Sequence, residues 1–139
     1  MDYIYQDKYV YFKKEGNGSP IILLHGWGVD SSCFDDLMDS LKEKYQVFAI
    51  DLPGFGKSVE PSDYYVLEDY VGLVEQFVND KKLANPIILG HSFGGRIAIR
   101  YASRHQVSKL ILVDSAGMKP KNYVKVKLKI MIYLSLIHI

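Results

Sequence analysis

Cysteine is nearly absent from this chain: Cys33 stands alone, so no internal disulfide holds the fold. An excess of charge of one sign is missing too. The formal net charge is +1, with acidic and basic residues interspersed, which leaves no broad electrostatic footprint for a nucleic acid or an anionic membrane. Nor is there a long apolar run. The most apolar stretch, Ile130 to Ile139, is far shorter than the roughly 20 residues of a bilayer-spanning helix. The opening MDYIYQDKYVYF lacks the basic-then-apolar pattern of a secretory signal. These absences point away from nucleic-acid and membrane partners and toward a small-molecule partner, with a cytoplasmic location as the expectation and the oligomeric state left open.

What the chain does have is an ordinary globular balance, 48% apolar and 24% charged over 139 residues, as suits one domain around one core. No internal repeat or low-complexity stretch interrupts it. Tyr3 to Lys14 is rich in tyrosine, valine and isoleucine around the turn candidate QDK, which predicts a β-hairpin. Four short apolar runs then read as buried strands: IILLH (21–25), YQVFAID (45–51), PIILGH (86–91) and KLILVD (109–114). Between them apolar residues recur at helical period. Cys33, Phe34, Leu37, Met38 and Leu41 follow the cap candidates Asp30 and Ser31; Val66, Tyr70, Val74, Phe77 and Val78 form a second stripe; Ile97, Ala98, Tyr101 and Ala102 form a third. Strands and helices alternating in this way predict an α/β fold, a mostly parallel sheet with flanking helices.

The stretch ILGHSFGGR, 88–96, sets Ser92 between Gly90 and Gly94 at the spacing G-x-S-x-G, after an apolar run and before a helical stripe. A serine hydroxyl becomes an effective nucleophile only when a base takes its proton and its oxygen is held out toward substrate. A sharp strand-to-helix turn does the holding. It strains the serine backbone, and glycines two residues to either side remove the collisions such a turn would cause. Gly95 lets the helix lie close to the sheet, and the helix N-terminus places N–H groups beside the reacting oxygen. The plainer role for Ser92 is a cap on the helix from Phe93 to Arg104.

LLHGWG, 23–28, ends a buried strand in a small-residue turn that leaves the Trp27 N–H pointing into the site. With the Phe93 N–H it makes a two-donor cradle for an oxyanion. His25, Gly26, Gly90, His91 and Gly94 read as support for the two turns, His25 as a buried histidine bracing its loop rather than a proton carrier. AIDLPGFGKS, 49–58, contains Gly56-Lys57-Ser58, but the phosphate-loop pattern needs glycine at position 51, where Asp51 stands. Pro53, Gly54 and Gly56 instead read as setting a tight loop after a strand.

HGWG, DLPGFGKS and GHSFGG, in this order and spacing, resemble the α/β-hydrolase superfamily from about Tyr3 to Gly117. The resemblance implies Ser92 as nucleophile, the backbone N–H groups of Trp27 and Phe93 as oxyanion hole, and no metal or cofactor. It implies hydrolysis of a small ester or similar acyl substrate through an acyl-enzyme. Serine at the elbow sets the chain apart from the dehalogenase and epoxide hydrolase branches, which carry aspartate there. What is left resembles esterases, lactonases, cofactor-free haloperoxidases and hydrolases of carbon-carbon bonds in aromatic ring-fission products. A non-catalytic ligand-sensing protein on the same fold is the alternative outside catalysis. The family order is serine, acid, histidine, the last two on loops after later strands. None of the four histidines suits that place: His25 and His91 belong to the motifs above, His105 ends the helix after the elbow, and His138 is next to last. Asp114, following a strand, is a candidate acid on the pattern of a minority of relatives, or else a polar residue closing its loop.

On this resemblance the chain covers roughly the first half of such a protein, with 1–117 an incomplete core lacking its final strands and 118–133 the start of a lid. Lys119, Lys121, Lys125, Lys127 and Lys129 read as the solvated face of a lid helix, with a membrane-surface helix as the alternative. The residues LSLIHI, 134–139, match a forward translation of the transposon-end adapter used in some sequencing libraries, so the natural sequence is expected to diverge near Tyr133. Lacking a base, the chain is expected to be nearly inactive, and missing strands predict an exposed sheet edge and poor solubility. The codons behind 134–139 are expected to match the adapter; reading the DNA and finding other codons there excludes that origin.

Overall fold

The computed structural model describes residues 1–115. The expected lid start (118–133) and the adapter-like tail (134–139) lie outside the described residues, as do His138 and the last part of the expected core, 116–117.

Strands β1 (Asp2–Tyr5) and β2 (Lys8–Glu15) pair antiparallel with Tyr5 opposite Lys8. Their turn is Gln6 and Asp7 alone, with φ of 51° and 61°. Positive φ at both central residues marks a type I′ turn, whose twist matches the strands it joins. Lys8, placed in the turn by the sequence reading, therefore begins β2. Beyond the hairpin come β3 (Ser19–Leu24), β4 (Tyr45–Ile50), β5 (Ile87–His91) and β6 (Lys109–Val113). The helices are α1 (Asp35–Leu41), preceded by a 3-10 turn over Ser31–Phe34, then α2 (Leu67–Asp80) and α3 (Phe93–Arg104). The sheet runs β1-β2-β4-β3-β5-β6, antiparallel up to β4 and parallel from there.

The inner strands are apolar throughout because both faces are covered. Ile22, Leu24, Phe48, Ile50 and Ile88 share a core with residues of α2 and α3, while Ile21, Leu23, Val47, Ala49 and Leu89 pack with Phe34 and Met38 on the opposite face. Two of the expected helical stripes begin later than their pattern suggests. Cys33 is exposed in the 3-10 turn, which Asp30 caps by accepting the Ser32 N–H at 2.8 Å. Val66 stands just outside α2, where the Asp69 carboxylate accepts its N–H at 2.8 Å.

Phe77 of α2 anchors the larger core. Its ring meets those of Tyr3, Phe12 and Phe48 edge-on, with centroids at 5.2, 5.1 and 5.4 Å. Such pairs contribute about 0.5–1.5 kcal/mol each beyond the area they bury. The hairpin is also tied to α2 by hydroxyls, Tyr3 donating to Asp80 at 2.7 Å and Tyr5 to the Asp69 carbonyl at 2.8 Å.

Parallel strands point one way, so the loops after β3, β4, β5 and β6 gather at one edge of the sheet. From β3 the chain goes to β4 on one side, then crosses to β5 on the other. Loops leaving β3 and β5 consequently diverge, and the crevice between them is where open α/β sheets bind ligands. The scaffold beneath it depends on Phe77: Phe77→Ala is expected to lower the unfolding free energy by about 3–5 kcal/mol, measured by urea titration.

Candidate active site

Ser92 sits in that crevice, at the junction of β5 and α3, with φ of 52° and ψ of −115°. Non-glycine residues rarely occupy this region, at a cost of about 1–3 kcal/mol. The backbone is held from both sides, the Ser92 N–H donating to the Val113 carbonyl at 3.1 Å and its carbonyl accepting the Gly95 N–H at 2.9 Å. Ser92 occupies the N-cap position of α3, but its side chain makes no capping bond there, which counts against the plainer reading of Ser92 as a helix cap.

Close backbone approach enforces this turn. A β-carbon on Gly90 would overlap the Gly94 carbonyl oxygen and lie 2.6 Å from the Gly95 Cα. One on Gly94 would run into the carbonyl oxygens of Leu24 and His25. The turn after β3 lies equally close, since a β-carbon on Gly26 would be 3.0 Å from the Ser92 Cβ and 3.2 Å from the His91 Nδ1. Trp27, the next residue, is thereby carried alongside Ser92. Phe93 opens α3, where the first turn of any helix leaves its N–H groups without carbonyl partners.

His25 is fully buried and bonded at both ring nitrogens, Nδ1 to the Gly26 carbonyl at 2.7 Å and Nε2 to the Leu52 N–H at 2.9 Å. A carbonyl only accepts and an N–H only donates, so Nδ1 carries the proton and the ring is neutral. Burial pushes its pKa below the ordinary 6.5, against smaller upward pulls from the Gly26 carbonyl and then Asp51.

Asp51 also lies buried here, and the sequence reading had noted it only for spoiling a phosphate loop. Its two carboxylate oxygens accept the Ser31 N–H at 2.7 Å and the Lys57 N–H at 2.9 Å, pinning the loop after β3 to the loop after β4. Ser58 donates its hydroxyl to the Asp51 carbonyl and accepts the Tyr11 N–H at 2.9 Å. The available signal was an acidic residue ending a buried strand just before a glycine-rich loop.

A layer of aromatic rings, likewise missed, covers this end of the sheet. Trp27 is 67% exposed and packs edge-on against Phe55 and Phe93, at 4.8 and 5.5 Å between centroids. Tyr70 meets Phe93 at 5.2 Å and Tyr65 at 5.4 Å.

Asp114 is exposed, with φ of 49°, at the residue after β6, and the register of His91 opposite Val113 puts it one strand over from Ser92. His105 is engaged elsewhere, 2.8 Å from Glu75 and stacked on Tyr101 at 4.6 Å. Among the described residues no histidine bonds to Ser92. Among them, too, no group of three or more His, Cys, Asp or Glu is placed to hold a metal ion, and no helix is long and apolar enough to cross a membrane.

A strand-turn-helix with a strained, uncapped serine beside a glycine turn is the geometry of a nucleophile elbow. The sequence profile of the alpha/beta hydrolase fold matches residues 19–129. The chain belongs to the α/β-hydrolase family. It is similar to the AB hydrolase superfamily protein YisY of Bacillus subtilis, 39% identical over 106 residues that make up 73% of this chain and 40% of that protein. A probable serine hydrolase of Drosophila melanogaster is 39% identical over 103 residues, 70% of this chain and 31% of that protein. Among solved structures, an esterase from Exiguobacterium antarcticum superposes with a TM-score of 0.75 at 33% identity, covering 79% of this chain and 42% of its own. The chain thus spans less than half the length of each of these α/β-hydrolase relatives.

The neutral His25 carries a pH signature. Its folded pKa lies below 6.5, so the unfolded chain takes the extra proton first. The stability it contributes is fully present above about pH 6.5 and is lost as the pH falls. Urea midpoints are expected to drop between about pH 7 and 5, and to drop less steeply in His25→Asn, which also starts lower at pH 7.

Proposed function

We propose that this α/β-hydrolase chain carries the nucleophile and oxyanion hole of a serine hydrolase acting on a small ester or similar acyl compound. The observation that carries the reading is the Ser92 backbone, strained at φ 52° with its hydroxyl left out of any capping bond. Strain of this kind persists where the surrounding structure imposes it, and it holds Oγ out toward a ligand.

In this reading the Ser92 oxygen attacks the acyl carbon and the N–H groups of Trp27 and Phe93 receive the charge of the tetrahedral intermediate. Losing one such donor costs about 3–4 kcal/mol of transition-state stabilisation. The alcohol leaves, and water then releases the acid from the acyl-enzyme. His25, His91, Gly26, Gly90 and Gly94 support the two turns, and Asp51 clamps the loop that follows Trp27. The proton of Ser92 goes to a histidine of the longer protein, since His25 spends both nitrogens on the backbone and His105 is engaged with Glu75. Asp114, at the neighbouring strand tip, is the candidate within this chain for the acid that orients that histidine. The serine hydrolase and esterase among the relatives support the assignment.

In the full-length protein a fluorophosphonate is expected to label Ser92, and Ser92→Ala to abolish labelling and lower kcat by at least about a thousandfold. The 139-residue chain is expected to hydrolyse p-nitrophenyl acetate no faster than its own Ser92→Ala variant. Labelling that survives the substitution overturns the nucleophile; esterase-like turnover by the chain overturns the external base.

A further inference from the structure

The loop from β4 to α2 and the Trp27 turn enclose a groove of about 310 Å³, whose lining includes Trp27, Tyr64, Tyr65 and Tyr70 together with Glu60 and Asp63. Phe55 closes the side toward His25, at 5.6 Å between rings. Half of the lining residues are aromatic, and the charged side chains among them are carboxylates.

Among the described residues those carboxylates have no basic side chain paired with them. Glu60 and Asp63 form no ion pair among the described residues, whereas Glu68, at the start of α2, is held by Arg100 at 2.9 Å and Arg104 at 2.6 Å. Lys57, on the same loop, instead lies over the Tyr11 ring at 4.6 Å. Aromatic faces carry the negative end of the ring quadrupole, so rings and carboxylates here favour the same sign of ligand. A cation gains from both, and an anion is repelled by both.

The groove also adjoins the reacting position. The rings of Trp27 and Tyr70 both touch Phe93, at 5.5 and 5.2 Å, and Phe93 directly follows Ser92. Its volume is at the small end for ligand sites and suits a compact group rather than a long chain.

We propose that this groove receives a substituted ammonium group, and that the substrate is an ester or acyl compound bearing that cation a few bonds from its carbonyl. The substrate part of the inference rests on Ser92 being the nucleophile; the binding part does not.

Calorimetric titration of the full-length protein with choline, with its uncharged carbon isostere 3,3-dimethylbutan-1-ol and with acetate separates charge from shape. Choline is expected to bind at least about tenfold more tightly. The double variant Glu60→Gln/Asp63→Asn changes only exposed side chains, and with its fold checked by circular dichroism it is expected to cut the preference for choline by at least about threefold, the rings retaining the rest. Equal binding of the isostere, tighter binding of acetate, no response to choline, or an undiminished preference in the double variant each overturns the assignment. The readout needs no turnover. A failed titration alongside intact Ser92 labelling discards the cation site and leaves the nucleophile standing.

Discussion

Where β5 turns into α3, main chain packs directly on main chain. Gly94 lies against the carbonyls of Leu24 and His25, and Gly90 lies under Gly94 and Gly95, contacts that no residue with a β-carbon could make. The approach fixes the start of α3 against two strands at once and leaves Ser92 no ordinary backbone conformation. It also draws the exit of β3 to within van der Waals contact of Ser92 through Gly26. Strain at the serine and proximity of the Trp27 turn are thus two consequences of one packing constraint.

The loops above that contact are held by buried polar groups whose bonds are all met; among the described residues no buried side-chain nitrogen or oxygen lacks a partner. His25 and Asp51 divide the work. The neutral ring ties the β3 turn to Leu52, and the carboxylate ties Ser31 to Lys57. Burying such groups destabilises a fold unless every donor and acceptor is satisfied, and once satisfied they admit few alternative arrangements. A loop built this way can present a backbone N–H at a set position without depending on its own side chain. The Trp27 ring itself is left largely in solvent.

The larger core supplies what the site consumes. Edge-on rings around Phe77, together with the tyrosine hydroxyls that fasten the hairpin to α2, contribute stability of at least the order of the strain at the serine. The described residues bring Ser92, the Trp27 turn, the start of α3 and an aromatic groove to one edge of the sheet.

The parallel sheet, its flanking helices and the sharp turn at Ser92 were legible in the residues, because each rests on neighbours in sequence: apolar runs, helical period, and glycines two positions either side of Ser92. Family membership followed from three such local motifs. Other features depend on residues far apart in the chain and left no local pattern. The Asp51 clamp joins position 51 to 31 and 57, and the aromatic layer joins Trp27 to Phe55 and Phe93 and links Phe93 in turn to Tyr70. That His25 is neutral and proton-bearing at Nδ1 follows only from where the Leu52 N–H and Gly26 carbonyl fall. Local chemistry made Ser92 a nucleophile candidate; long-range packing set its strain, its neighbours and the charge of the groove beside it, because those are properties of surfaces that meet only once the chain has folded.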